Sequence, residues 1–206
     1  MSRPDSKPAD GCAVPKSDHI ADAARRLFGR YGFRRTSMDD IAREAGVAKA
    51  TLYLHFAGKE DVFRFMLART RSLTEQKCLA AEQLAAPFRD RLAALLDAKF
   101  GCGYEWFGNA EHWAELYATI AAVELEENQA FEQAYLGRLK KLLTAAAHAG
   151  EISFSGIDLG PEAVAQTLFQ AAMGAKTGGT ATLDEYRARL RNIATLATAA
   201  LDKHPR

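Results

Sequence analysis

Apolar residues near the start of the chain recur at spacings of three and four, which is the period of an amphipathic helix. This stripe comprises Ile20, Ala24, Leu27, Phe28 and Tyr31. Ser17 is the expected N-cap, and Gly32 is the expected stop, because glycine readily adopts the left-handed conformation that ends helices. The pattern therefore predicts a first helix between Ser17 and Gly32.

Two shorter helical stripes follow the first. One begins at Ser37 and ends at Gly46, with acidic residues in its first turn, where the helix dipole favours carboxylates. Its expected inward side chains are Met38, Ile41, Ala42 and Ala45. The next runs from about Lys49 to His55 and places Leu52 and Phe56 on its buried face.

Beyond Val62 the helical period continues, without the alternation of apolar and polar residues that is typical of strands. Proline and glycine interrupt it, so that we expect helices near 58–84, 88–100, 109–126, 129–148, 161–177 and 183–202. The chain is thus predicted to be all-α with about nine helices. We expect a disordered N-terminal arm, a three-helix unit and a larger helical domain over 1–16, 17–60 and 61–206.

Composition narrows the class of protein. Of the 206 residues, 48% are hydrophobic and 26% are charged, as in ordinary globular proteins. Apolar runs stay shorter than the roughly 18 residues of a membrane span, and the first 16 residues lack the apolar region of a secretory signal. Cys12, Cys78 and Cys102 are too widely spaced for a disulfide framework or a zinc site. We therefore expect a cytoplasmic protein with no metal and no cofactor.

Charge is distributed unevenly along the chain. The overall net charge is +1, whereas the segment from Arg25 to Lys59 contains eight basic and three acidic residues. A local basic patch is typical of phosphate-binding surfaces, although a solvated face is the alternative explanation.

The segment from Ser37 to Phe56 combines a helix, a glycine-containing turn and a second helix within about 20 residues, which is the helix-turn-helix arrangement. The second helix of such a unit enters the major groove of DNA. Side chains suited to contact phosphates or base edges are Thr36, Ser37, Lys49, Ala50, Thr51, Tyr53, His55 and Lys59. For Tyr53, packing under the fourth helix is the alternative, and for Arg34 and Arg35 a solvated loop competes with a phosphate contact.

At these residues the sequence resembles the TetR family of regulators. The resemblance spans Ile20 to Leu67, and its distinctive pieces are AARRLFGRYGFRRTSM, DDIAREAGVAKATLYLHF and the lysine of GKEDVF. It implies nine or ten helices, a homodimer built on the last two long helices, and a ligand pocket in the C-terminal domain. It also implies that Thr36, Ser37, Lys49, Thr51, Tyr53, His55 and Lys59 lie at DNA-contact positions. Ala48 departs from the family, which often has a capping serine there.

The C-terminal part is rich in large apolar side chains. Ordinary core packing is the first explanation for each, but a subset could line a cavity for an apolar or aromatic effector. The candidates are Phe100, Tyr104, Trp106, Trp113, Tyr117, Tyr135, Phe169 and Met173. The cluster Glu111, His112 and Glu115 is expected to be a salt-bridging surface, with a metal or a cationic ligand as the alternative.

Small and apolar residues on the last two helices favour a twofold, four-helix interface. The expected contacts are Val164, Leu168, Ala171, Leu190, Ile193 and Leu196. The sequence thus predicts a homodimeric regulator that binds a palindromic operator in double-stranded DNA. We expect a repressor that a small molecule releases from this operator. Activation of transcription, instead of repression, is an alternative that the sequence leaves open. A helical enzyme is disfavoured because the sequence contains no catalytic Ser, His and Asp arrangement, no metal-binding signature and no cofactor-binding loop. A module that binds an acidic protein is the other alternative.

Overall fold

A computed structural model describes residues 15–107, 112–176 and 182–202, and these residues form helices and no strand. The helices are α1 (Lys16–Tyr31), α2 (Met38–Glu44), α3 (Lys49–His55), α4 (Lys59–Glu82), α5 (Phe88–Leu96), a π-helical segment (Asp97–Gly101), α6 (Cys102–Phe107), α7 (Trp113–Val123), α8 (Leu125–His148), α9 (Pro161–Gly174) and α10 (Leu183–Ala200). The predicted N-terminal arm lies outside the described residues, apart from its last two.

The π-helical segment joins α5 to α6 without a break, so that the described chain forms nine separate helices. This confirms the predicted all-α class and the number of helices. The break predicted at residues 101–103 is wrong. A side chain at Gly101 would overlap the carboxylate of Asp97, so this glycine makes room for a neighbouring side chain instead of ending the helix.

The local signals predicted at the two ends of α1 have mixed outcomes. Gly32 has a φ of +85° directly after α1, as expected of a stop. The predicted N-cap Ser17 is wrong, because α1 begins at Lys16 with Pro15 as its cap. Proline presets the backbone angle and has no N–H that needs a partner, so it is tolerated at the start of a helix.

An N-terminal core joins α1 to α4. Phe28, Phe33 and Phe63 pack with ring centroids 5.2 to 5.6 Å apart. The same core includes Phe107 from α6 and Leu116 from α7, both buried. Residues beyond position 60 therefore complete the core of the three-helix unit.

A second core fills the C-terminal part of the molecule. It is formed by the second half of α4 together with α5, the π-helical segment, α6, α8, α9 and α10. Its most buried residues include Cys78, Leu92, Leu96, Leu139, Leu143, Ala172 and Ala194. Cys78 and Cys102 are both free and buried. Because α4 contributes side chains to both cores, it connects them mechanically.

Membrane-spanning helices and metal-binding clusters are both absent from the described part of the chain. None of its helices combines the length and the apolarity needed to cross a lipid bilayer. Nor do the described residues bring together three or more His, Cys, Asp or Glu side chains in a group that could hold a metal ion.

Candidate nucleic-acid interface

The turn before α2 is held by reciprocal hydrogen bonds. The backbone N–H of Asp40 donates to Ser37 Oγ at 3.1 Å, and the backbone N–H of Ser37 donates to Asp40 Oδ2 at 3.0 Å. This capping box satisfies N–H groups that the first turn of a helix leaves free. Ser37 itself is exposed, so the predicted phosphate contact is sterically open.

The third helix divides into a buried and an exposed face. Leu52 and Phe56 are buried in the N-terminal core, as predicted. The exposed face holds Lys49, Ala50, Tyr53 and His55, with Thr51 half-buried beside them. Tyr53 is 47% exposed, which rules out the alternative that it packs under α4. One solvent-facing surface thus carries five of the eight candidate DNA contacts.

Sequence reasoning missed Leu54, which lies on this exposed face. Its side chain is 84% exposed. The signal was available, because Leu54 is two positions from Leu52 and also from Phe56, and two residues along a helix turn a side chain to the opposite side. An apolar side chain placed there can contact thymine methyl groups.

Lys49 is paired in the free protein. Its Nζ lies 2.7 Å from Asp39 Oδ1, across the turn between α2 and α3. The hydrogen bond and the charge of Asp39 raise the pKa of Lys49. Both side chains are well exposed, so the pair is weak and an incoming phosphate can replace the carboxylate.

Thr36 differs from the other candidates. It is 3% exposed, and its hydroxyl donates to the carbonyl oxygen of Gly32 at 2.8 Å. The side chain therefore stabilises the turn between α1 and α2, and we remove it from the set of phosphate contacts. Sequence alone did not distinguish the two roles, because threonine commonly bonds to nearby backbone as well.

Lys59 is also engaged within the protein. Its Nζ donates to the carbonyl oxygen of Phe33 at 2.8 Å and lies 4.5 Å from the centre of the Phe33 ring. This arrangement differs from the prediction, in which the ammonium is free to bind a phosphate. Carbonyl oxygens of the α1–α2 turn offset the unfavourable placement of a cation in the first turn of α4.

The C-terminal unit touches the same turn through Glu115 of α7. The backbone N–H of Arg34 donates to Glu115 Oε1 at 2.8 Å. The side chains of Arg34 and Arg35 are exposed, in keeping with either expectation for them. Glu111 lies outside the described residues. Glu115 is thus a contact between the two units and not part of a separate salt-bridging face.

The predicted effector residues separate into groups. Phe100, Tyr104, Tyr135 and Phe169 are buried in the C-terminal core. Tyr117 and Met173 are 42% and 38% exposed, and the side chain of Trp113 lies outside the described part.

Trp106 packs away from the C-terminal core, which contradicts its prediction as a pocket residue. Its ring lies against the N-terminal core, with the guanidinium of Arg25 5.2 Å and that of Arg69 5.8 Å from the ring centre. Aromatic content alone gives no direction, so the sequence could not assign this side chain to one core or the other.

The predicted dimer contacts are only partly at the surface. Val164, Leu168 and Leu190 are buried in the chain's own C-terminal core, so their prediction as contacts is corrected. Ala171 is exposed, Leu196 is 72% exposed and Ile193 is half-buried. Helical periodicity finds the most apolar stripe of a helix, and on α9 and α10 that stripe faces the subunit's own interior.

Comparisons with known proteins agree with this geometry. Residues 20–66 match the family model described as "Bacterial regulatory proteins, tetR family". The A-factor receptor protein of Streptomyces griseus is 29% identical over 73% of this chain and 56% of that protein. The chain spans about half or less of the length of the curated relatives that it matches first.

Solved structures share the fold across almost the whole chain. The TetR family transcriptional regulator PfmR from Thermus thermophilus has a TM-score of 0.69 and 18% identity, covering 93% of this chain and all of that one. A structure described as the SmeT–triclosan complex has a TM-score of 0.67 and 21% identity, covering 91% and 92% of the two chains. At these identities the likeness establishes the fold.

Proposed function

We propose that this chain is a TetR-family, sequence-specific transcriptional regulator that a small molecule releases from its operator. The observation that carries the proposal is the exposed face of α3. It presents Lys49, Tyr53 and His55, whose side chains donate hydrogen bonds, beside the apolar Ala50 and Leu54. Donors and methyl-contacting groups on one helix suit the edges of the major groove.

A palindromic operator has two half-sites, one for each copy of this face in a dimer. We infer a homodimer formed by α9 and α10, with Ala171 and Leu196 among its contacts. Their exposure in the single chain supports this, because a leucine that is 72% exposed gains from burial against a partner. Twofold symmetry would place the recognition helices about 34 to 36 Å apart on a palindromic operator.

Release by an effector would act through α4 and α7. The fourth helix contributes to both cores, and Glu115 binds the turn that precedes α2. A ligand that favours one arrangement of the C-terminal helices would thereby change the spacing of the two α3 helices. The bound triclosan named for the SmeT structure supports a small-molecule effector for this fold.

Footprinting on DNA upstream of the protein's own gene is the first test. We expect protection of one palindrome, with an affinity that falls steeply as salt rises. His55→Ala should weaken this binding by about 5- to 100-fold, and Lys141→Ala, which removes an exposed positive charge on α8, should leave it unchanged. A protein that stays monomeric and binds no duplex at low ionic strength contradicts the proposal.

A promoter assay distinguishes repression from activation of transcription. Repression is expected when the palindrome overlaps the promoter, and fusion of that promoter to a reporter gene measures it. We place this activity in the cytoplasm, where operator DNA is found, and propose no enzymatic step.

A further inference from the structure

Lys99 lies inside a box of aromatic rings in the C-terminal core. Its Nζ is 4.3 Å from the ring centre of Phe131, 5.3 Å from Tyr135, 5.6 Å from Phe169 and 6.0 Å from Phe100. These rings come from α8, α9 and the π-helical segment that carries Lys99 itself. Such distances are typical of cation–π contacts.

The ammonium has no anionic partner in the described part of the chain. None of the described carboxylates lies within ion-pair distance of Nζ, and none of the described oxygens accepts a hydrogen bond from it. The acidic group with the largest effect on it is Glu132, which accepts a hydrogen bond from Asn128 Nδ2 at 3.3 Å. Burial lowers the pKa of Lys99 to about 8, so the amine still carries its charge at neutral pH. A partly desolvated ammonium without a carboxylate partner favours an anionic ligand, and such groups are a common mark of functional sites.

The backbone at Lys99 is π-helical, which points to a functional site independently of the aromatic rings. Asp97–Gly101 is the single π-helical segment in the described residues. Turns of this kind are rare, and they occur frequently at functional sites. Here the segment passes next to Cys78 of α4, the helix that begins at Lys59 beside the DNA-binding unit.

We propose that Lys99 binds the charged group of an organic anion whose aromatic or apolar body packs among Phe100, Phe131, Tyr135 and Phe169. In the free protein the Nζ of Lys99 lies within 4.3 to 6.0 Å of the centres of these rings. Lys99, Phe131 and Glu132 are half-buried, so an anion reaches the ammonium from their side. As the ammonium moves outward to meet the anion, its place between the rings opens to the body of the ligand.

The charge of Lys99 sets the class of ligand. A cationic ligand is repelled, and a neutral ligand leaves the ammonium without a partner. An anion supplies the missing countercharge, and the resulting pair lies in surroundings of low polarity, where it is strong. The link from this site to DNA release rests on the proposed function, whereas binding of the anion does not.

Calorimetry on the full chain with three matched probes tests the proposal. The probes are 2-naphthoate, its neutral amide and the cationic 2-naphthylmethylammonium. We expect naphthoate to bind at least about tenfold more tightly than either of the others. Lys99→Met should lower naphthoate affinity by about 10- to 100-fold and leave amide affinity unchanged. Lys141→Met, which removes an exposed lysine from α8, should change neither.

A thermal melt accompanies each variant. Lys99→Met removes a buried charge and should melt no lower than the wild type, so weaker binding cannot be attributed to unfolding. Equal naphthoate binding by wild type and Lys99→Met overturns the proposal, as does tighter binding of the amide or failure of naphthoate to bind at about 1 mM. Operator affinity is measured separately without a probe. A wild-type protein that binds no operator would contradict the proposed function and would leave the proposal of the anion site unaffected.

Discussion

Asp39 and Lys49 illustrate how a single contact in the free protein bears on DNA binding. The carboxylate holds the lysine at 2.7 Å on the surface that we propose faces DNA. In the proposed complex the same carboxylate would lie close to phosphates and oppose them. The spacing of ten residues across a glycine turn hid this pair from sequence analysis, which treated Asp39 only as a favourable residue at a helix N-terminus.

Asp39→Asn should therefore tighten the binding of duplex DNA. The substitution frees Lys49 and removes one repulsive charge, so we expect about a threefold gain in affinity at low salt, which shrinks as salt rises. Fluorescence anisotropy across a salt series measures it. Asp158→Asn, which makes the same change in an exposed loop between α8 and α9, is the control. An equal gain in both variants would mean that only net charge matters.

Lys99 also predicts a pH dependence of stability. Its pKa is about 8 in the folded chain and 10.5 ordinarily, so the unfolded chain binds more protons between these values. Stability contributed by this group therefore rises with pH above about 8. Lys99→Met should be more stable than the wild type by about 1 kcal/mol near pH 7, a figure that allows for the solvent reaching the half-buried side chain.

Urea denaturation at about pH 7 and about pH 9.5 checks this expectation, since the advantage of Lys99→Met should shrink at the higher pH. Lys141→Met provides the comparison at an exposed position. An advantage that stays constant or grows with pH would contradict the assignment of a buried, protonated amine.

At the scale of elements, the sequence predicted the helices of the first unit well because each has its own local signal. The stripe of α1 is followed by Gly32, and Ser37 with Asp40 forms the capping box of α2. The glycines at 101 and 103 misled the prediction: Gly101 leaves room for the carboxylate of Asp97, four residues earlier, and a side chain at Gly103 would meet no neighbouring atom within 4 Å. A different limit explains Trp106, Val164 and Leu168, whose partners are set by the whole fold.

The start of α3 offers a test at this scale. Ala48 is its N-cap and makes no side-chain cap hydrogen bond. Ala48→Ser should let a hydroxyl accept from the first turn and raise the free energy of unfolding by about 1 kcal/mol. Chemical denaturation measures the change. Ala145→Ser makes the same change at an exposed position inside α8 and should instead lower the free energy of unfolding by a few tenths of a kcal/mol. Equal effects of the two substitutions would contradict the capping argument.

At the scale of the whole molecule, two cores share α4, and the exposed sides of α9 and α10 remain for a partner. Sequence analysis predicts two units and an interface on the last two helices, and both stay predictions. It could not tell which apolar residues face a partner, because burial in the subunit and burial in a dimer leave the same pattern of apolar residues.

Leu196→Glu should disrupt the proposed dimer. The leucine is 72% exposed on α10, and a carboxylate there would be buried opposite its twofold copy. We expect a monomer in sedimentation and loss of operator binding, with the helical content unchanged. Leu159→Glu places the same charge at another exposed leucine, just before α9, and should remain dimeric. A dimeric Leu196→Glu variant would move the interface elsewhere.

Phe107 and Leu116 lie in the second half of the chain and are buried among side chains of the first. A chimera that joins residues up to 60 to another C-terminal domain would therefore have a cavity in its N-terminal core, where these two side chains are missing. To stay folded and bind an operator, such a chimera must also include α4 and apolar side chains that replace Phe107 and Leu116.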